Sequence, residues 1–246
     1  MKILPLLLLI VLACLWSVRA DEVVLYAYHL KPPYIVDAEQ GVGLYYDLAR
    51  YLNERIGEHH FTTVYLPRRR LETELEQGRL KGLVLGVNPL WFKDESHTRY
   101  LWSPAFMNDE DVVVSRSEQP LRYEGPDSLV GMRVGLPTGY YYYGVDELVK
   151  AGRIERDDAV SEGANLGKLM LGRVDAIIIS RPTLDYYLRH HTDWAGRFYV
   201  AAKPHDRFDR FVLVPKNYAD LMPDLNAALG GILRDPAWRV QRETYR

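Results

Sequence analysis

Cysteine is nearly absent from this chain: among 246 residues only Cys14 carries a thiol. A disulfide framework is therefore excluded, as is any thiolate metal knot, and the fold has to be held by apolar packing. No surplus of positive charge is present either, with 31 Lys and Arg against 33 Asp and Glu. Without a basic footprint the chain is not suited to nucleic acid. After Trp16 no apolar run has the length of a membrane span. The local signatures of common chemistries are missing too: no glycine-rich phosphate loop, no Gly-x-Ser-x-Gly elbow and no His-Glu-x-x-His helix. The pairs His59-His60 and His190-His191 have no acidic or cysteine ligand to complete a site, so neither a metal nor a cofactor is expected.

The first twenty residues carry an address. Met1-Lys2, the apolar run Ile3 to Trp16 and then Ser17-Val18-Arg19-Ala20 have the form of a secretory signal peptide. Val18 and Ala20 supply small residues for cleavage before Asp21. A competing reading takes Val11-Leu12-Ala13-Cys14 as a lipobox with Cys14 lipidated, although Leu12 fits it poorly. Cleavage after Ala20 leaves 226 of the 246 residues and no cysteine. It also removes Lys2 and Arg19, leaving 29 basic against 33 acidic residues, a net charge of −4. Export without disulfides predicts a soluble periplasmic protein, of a length that suits one large or two small domains.

The body of the chain is organised around a repeated unit. Leu166, Leu169 and Met170 have the spacing of one helical face, Gly172 stops that helix, and Asp175-Ala176-Ile177-Ile178-Ile179-Ser180 reads as a strand buried on both faces. The same order occurs earlier, from Leu71 to Gln77 through Gly78-Arg79 into Leu80 to Gly86. Two copies predict two similar α/β lobes. Ligands gather beyond the carboxyl ends of such strands, which directs attention to Gly86 to Asn88 and to Ser180-Arg181.

Elsewhere the pattern fills in the lobes. Val23 to Tyr28 reads as a first strand, Lys31-Pro32-Pro33-Tyr34 as a loop, Leu44 to Ile56 as an amphipathic helix and Phe61 to Leu66 as a second strand. Pro67 opens the next helix. Asp220 to Leu233 has a helical apolar stripe limited by Pro236.

Pro32-Pro33-Tyr34, Gly43-x-x-Tyr-Asp-Leu-Ala49, Gly78-Arg79, Tyr100-Leu-Trp-Ser-Pro-Ala-Phe106, Leu129-Val-Gly-Met-Arg-Val-Gly135, Gly172-Arg-Val-Asp-Ala176 and Pro223-Asp-Leu-Asn-Ala-Ala-Leu229 follow in an order that resembles the family 3 periplasmic solute-binding proteins, receptors of polar amino acid ABC transporters. Each motif is mostly packing chemistry; their order and spacing carry the likeness. The resemblance implies an α/β, two-lobed periplasmic-binding-protein-like fold of type 2, with mixed central sheets and two crossover hinge strands. Lobe 1 would take residues 21–112 and 201–246, and lobe 2 residues 113–200. Asp111 to Ser115 would be the outgoing crossover and Arg197 to Ala202 the return, with the lobes closing on a ligand.

The resemblance also implies site residues. The family arginine that grips an α-carboxylate falls at Lys93, which keeps the charge without the bidentate fork. The aspartate that receives the α-ammonium falls at Ser180, and the threonine beside Gly139 at Tyr140. These departures argue against an ordinary α-amino acid. Further candidates are Arg70 at the start of its helix, with Arg68 and Arg69 read as solvated; Tyr34, whose face attracts cations; and Asn88. Thr138-Gly139 ahead of the helix from Val145 offers backbone N–H groups to an anion, and two of Tyr140 to Tyr143 are expected to face inward.

The function expected is capture of a small polar or anionic solute by a monomeric, non-enzymatic receptor that presents it to an ABC permease. A solute sensor with a membrane partner is the alternative within binding proteins. The same fold also hosts a periplasmic prephenate or arogenate dehydratase, for which Glu110, Asp111 and Asp175 are the carboxylates to consider.

Overall fold

The computed structural model describes residues 21–245. The signal segment, its cleavage point and Cys14 lie outside the described residues. Within them no helix is long and apolar enough to cross a membrane.

The first stretch of chain supplies β1 (Asp21–Ala27), α1 (Leu44–Asn53), β2 (His59–Tyr65), α2 (Arg68–Glu76), β3 (Leu83–Val87) and β4 (Leu101–Trp102). It leads into the long β5 (Met107–Arg116). Then come β6 (Arg133–Pro137), α3 (Val145–Lys150), β7 (Glu155–Ala159), α4 (Glu162–Met170), β8 (Ala176–Ser180), α5 (Arg181–His190) and β9 (Phe198–Val200). The chain finishes with β10 (Asp206–Val214), α6 (Met222–Leu229) and α7 (Pro236–Thr244).

These strands join as β2-β1-β3-β10-β5-β8-β6-β7, with β4 on β10 and β9 on β5. The β2-β1-β3 and β8-β6-β7 groups are parallel, as crossovers through helices require. β8 is interior, and Ile177, Ile178 and Ile179 have no exposed surface. That is why its sequence is continuously apolar rather than alternating. The equivalent β3 has Leu83, Val84, Leu85 and Val87 likewise fully buried.

β5 and β10 connect the two groups. Their first halves pair with each other, from Met107 against Arg210 to Asp111 against Asp206. Beyond Asp111, β5 pairs with β8; beyond Arg210, β10 pairs with β3 and β4. The crossings are thus residues 107–111 and 206–210. The expected return over Arg197 to Ala202 is displaced: β9 pairs with Val114 to Arg116, and Ala201 packs in the second core. Asp206-Arg207-Phe208-Asp209-Arg210 looks too polar for a strand, but its charges meet partners across the hinge. Asn108 Nδ2 donates to Asp209 Oδ1 at 2.6 Å and Arg207 Nε to Glu110 Oε2 at 3.2 Å.

Separate cores support the two groups. Leu44, Leu48 and Leu52 of α1 pack on β1, with Trp238 of α7 fully buried above Phe106 and its Nε1 donating to Phe106 O at 2.8 Å. Pro236 therefore opens a helix, with Asp235 Oδ1 accepting from Ala237 N as its cap, whereas the helix before it ends earlier than expected, at Leu229 ahead of Gly230-Gly231. Val113, Leu136, Val145 and Ile178 centre the second core.

Candidate functional site

A cavity of about 350 Å³ lies between the two cores, at the carboxyl ends of the parallel strands. That volume suits a small organic solute. From the first half it is lined by Tyr28, His29, Lys31, Arg68, Trp91 and Lys93. The second half contributes Tyr140, Tyr142 and Glu162, and the hinge contributes Asp111, Phe208 and Arg210.

The floor is a buried polar network centred on Arg210, which is 1% exposed. Its guanidinium pairs with Asp109 Oδ2 at 2.6 Å and donates to Gly86 O at 2.7 Å. It also lies 4.4 Å from the Tyr34 ring centre. Gly86 has φ +70, and a Cβ there would stand 1.8 Å from the Tyr45 hydroxyl, so the close approach of Tyr45 requires glycine. His29 is held neutral, its pKa well below the ordinary value through burial first and then Arg210, Lys31 and Arg68. Arg210 Nη1 can only donate to His29 Nε2, at 3.3 Å. The ring proton therefore sits on Nδ1, facing the Tyr45 oxygen at 3.2 Å.

Three contacts tie the loop after β1 to the second half of the molecule. Lys31 Nζ pairs with Glu162; Thr183 Oγ1 donates to Pro32 O at 2.6 Å; and the Tyr34 and Ser180 hydroxyls are 2.9 Å apart. Tyr34 gives its proton to Asp109, so Ser180 donates to the Tyr34 oxygen. These contacts hold the loop after β1 against the second half of the molecule.

The six residues singled out by sequence fall into two groups. Lys93 and Tyr140 line the cavity. Tyr34 and Ser180 are fully buried behind it, bonded to each other, and are not among its lining residues. Asn88 accepts from Leu90 N and donates to Asp209 O, capping the turn Pro89–Phe92 instead of facing a ligand. Arg70 is exposed and outside the cavity, whereas Arg68 is in its wall. Helical geometry explains the exchange: Arg68 stands three and four residues from Leu71 and Glu72, on the inward face, and Arg70 is turned away from it. Arg68 Nε pairs with Glu72 at 2.8 Å and its guanidinium lies 5.3 Å from the Tyr28 ring centre.

The anion cradle expected ahead of Val145 is already filled. Glu147 accepts from Gly144 N and Asp146 from Tyr142 N, each at 2.6 Å. Tyr142 is buried and Tyr140 half-buried, while Tyr141 and Tyr143 are exposed at the cavity mouth. The pair His190-His191 is taken up by neighbours, His190 stacking on Tyr186 and His191 on Trp194, and among the described residues no group of three metal-ligating side chains forms around either histidine pair. Glu110 pairs with Arg181 and Arg207, and Asp175 accepts from Arg133 N.

Lys31, Glu162, Phe208 and Arg210 escaped the sequence reading as site residues. Lys31 stands directly before Pro32-Pro33-Tyr34, a position that signals a loop but not what it faces. Arg210 and Asp109 are 101 residues apart, so no local pattern links them.

No protein-family model matches the sequence, and no curated protein sequence matches it. Solved structures do. An ancestral arginine-binding protein bound to arginine superposes with a TM-score of 0.72 at 16% identity, covering 93% of this chain and 99% of that one. The fold is the two-lobed periplasmic-binding-protein fold. The substrate-binding protein of an amino acid ABC transporter gives 0.67 at 18% identity, over 92% of this chain and 99% of that one. The GluR0 ligand-binding core from Nostoc punctiforme, in complex with L-glutamate, gives 0.70 at 14% identity, over 91% and 98%. In this two-lobed frame β5 and β10 are the hinge strands and the cavity is the cleft between the lobes.

Proposed function

We propose that this chain is a periplasmic solute-binding protein that captures a small, charged, amino-acid-like solute in the cleft and presents it to an ABC-type permease. The reading is non-enzymatic. One observation carries it: charged and aromatic side chains from both lobes and from the hinge converge on one cavity. A solute that touches both lobes binds the closed form more tightly than the open one, and that difference is what drives closure. The neighbours described as amino acid binding proteins support the solute class. We take residues 21–106 with 211–245 as one lobe and 112–205 as the other, the strands between them as the hinge.

Lys93 and Tyr140 are the proposed contacts carried over from sequence, joined by Arg68. Arg68→Ala is expected to weaken solute binding by about tenfold or more through loss of a charge-assisted contact, with Arg70→Ala neutral. Calorimetry on both variants checks this; an effect of Arg70 equal to that of Arg68 contradicts it.

Ordinary α-amino acids are expected to bind poorly. Ser180 is committed to Tyr34, and Lys93 gives a point charge in place of a fork. A thermal-shift screen against amino acids, amines, short carboxylates and peptides tests the function, because a solute at a hundredfold over Kd stabilises by about 2.7 kcal/mol. Absence of any shift across that panel overturns the receptor reading.

A further inference from the structure

Of the four cationic side chains that line the cleft, Lys31, Arg68, Lys93 and Arg210, the ammonium of Lys31 is the one held by a carboxylate and ring faces of the second lobe. Lys31 Nζ pairs with Glu162, and lies 5.6 Å from the ring centre of Tyr34 and 5.7 Å from that of Tyr140. Aromatic faces beside a carboxylate form a cation-binding arrangement. The pairing leaves acceptor capacity over. Glu162 is 2% exposed, yet its Oε2 is buried without a hydrogen-bond partner. Asp111, from the hinge, lines the same cavity, and its carboxyl makes no hydrogen bond among the described residues. Buried acceptors are normally satisfied, so the orphaned Oε2 of Glu162, with the half-buried and unbonded carboxyl of Asp111 on the same cavity, calls for a donor from outside the chain.

Resting on the reading of the cleft as a solute site, we propose that Asp111 and Glu162 Oε2 together receive a positively charged nitrogen of the solute, an ammonium or guanidinium group, against the rings of Tyr140 and Tyr142. Lys31 holds Glu162 Oε1 while the solute's N–H groups satisfy Oε2 and Asp111. The solute is thereby an organic cation at this end, whatever group it extends toward Arg68 and Lys93.

Charge bookkeeping agrees. Asp111 faces Lys31 from the loop after β1, Asp109 on its own strand, Glu162 from α4 and Arg210 from β10, with Tyr142 from the loop ahead of α3, His205 just before β10 and Asp206 at its first position. Its carboxyl is pushed up to about 7, by burial first, with Asp109 and Glu162 raising it and Lys31 and Arg210 opposing them. An incoming cation favours the ionised form, so binding releases a proton near neutral pH and weakens as the pH falls.

Agmatine and putrescine, which carry cationic nitrogens and no carboxylate, and succinate, which carries carboxylates and no amine, separate the possibilities by calorimetry on the chain from Asp21 onward. The expected result is binding of agmatine or putrescine at pH 8, about tenfold or more weaker at pH 5.5 and in both Asp111→Asn and Glu162→Gln. Both variants keep side-chain size, and circular dichroism verifies that each is folded. Proton release, read by repeating the titration in buffers of different ionisation enthalpy, accompanies wild-type binding and disappears in Asp111→Asn. Binding of succinate with none of either amine overturns the cation position while leaving the receptor reading intact. Amine binding indifferent to both variants overturns it as well. Failure of all three probes also overturns it, and the receptor reading then stands or falls on the broader screen.

Discussion

Arg210→Ala is expected to lower the stability of the protein by about 3–5 kcal/mol, as the breaking of a buried ion pair generally does. The guanidinium is buried with Asp109, which also accepts from Tyr34. Removing it strands the Asp109 charge and deprives Gly86 O and His29 Nε2 of their donor. Burial opposes the charge on Arg210, but Tyr34, Asp109 and Tyr45 more than offset this and hold it ionised. Because the pair sits where β5 and β10 cross between lobes, its loss loosens the hinge as well as the fold. Replacing both members, as Asp109→Leu with Arg210→Met, is expected to cost less than Arg210→Ala alone, since no charge is then orphaned. Urea unfolding of the two variants measures this, and an Arg210→Ala protein within about 1 kcal/mol of wild type would show that the network is dispensable.

Asp111→Asn should do the opposite and stabilise the unliganded protein at alkaline pH. The folded-state pKa of about 7 stands above the value near 3.8 for a free aspartate. The fold therefore favours the protonated carboxyl, and its contribution is fully present below about pH 4 and is lost as the pH rises through about 7. Wild type carries this penalty at pH 8 and asparagine does not. Since Asp111 keeps some contact with solvent, we take a gain of about 2 kcal/mol at pH 8, or roughly 4–8 °C in Tm, shrinking toward zero near pH 4. Thermal unfolding across that range tests both size and sign; a destabilised variant at pH 8 contradicts the assignment. The same substitution that stabilises the empty cleft is the one expected to impair binding, a conflict typical of functional sites.

The sequence declared the lobes more clearly than the site, for physical reasons. Gly172 to Ser180 could be read because a strand covered on both faces must be apolar throughout, and β3 and β8 both obey that rule. The hinge strand Asp206 to Arg210 could not, since its polarity imitates a loop until Asp109, Glu110 and Asn108 are brought alongside. Lys93 and Tyr140 were reached through the family resemblance, which puts ligand contacts in the loops after β3 and β6. Arg68 was within reach of helical periodicity, because Leu71 and Leu75 define the inward face of α2. Lys31 with Glu162 and Arg210 with Asp109 join segments far apart in the chain, and only the folded structure pairs them.

Hinge closure on a solute is the centre of this account, and the contacts from the loop Lys31 to Tyr34 onto Glu162, Ser180 and Thr183 belong to its closed state. Small-angle scattering of the chain from Asp21 onward, with and without agmatine or another solute that scores in the thermal screen, tests it most directly. The account predicts a smaller radius of gyration at saturation than in the unliganded protein, with Arg68→Ala shifting the titration to higher concentration. A radius of gyration that stays constant while calorimetry reports full occupancy would contradict it.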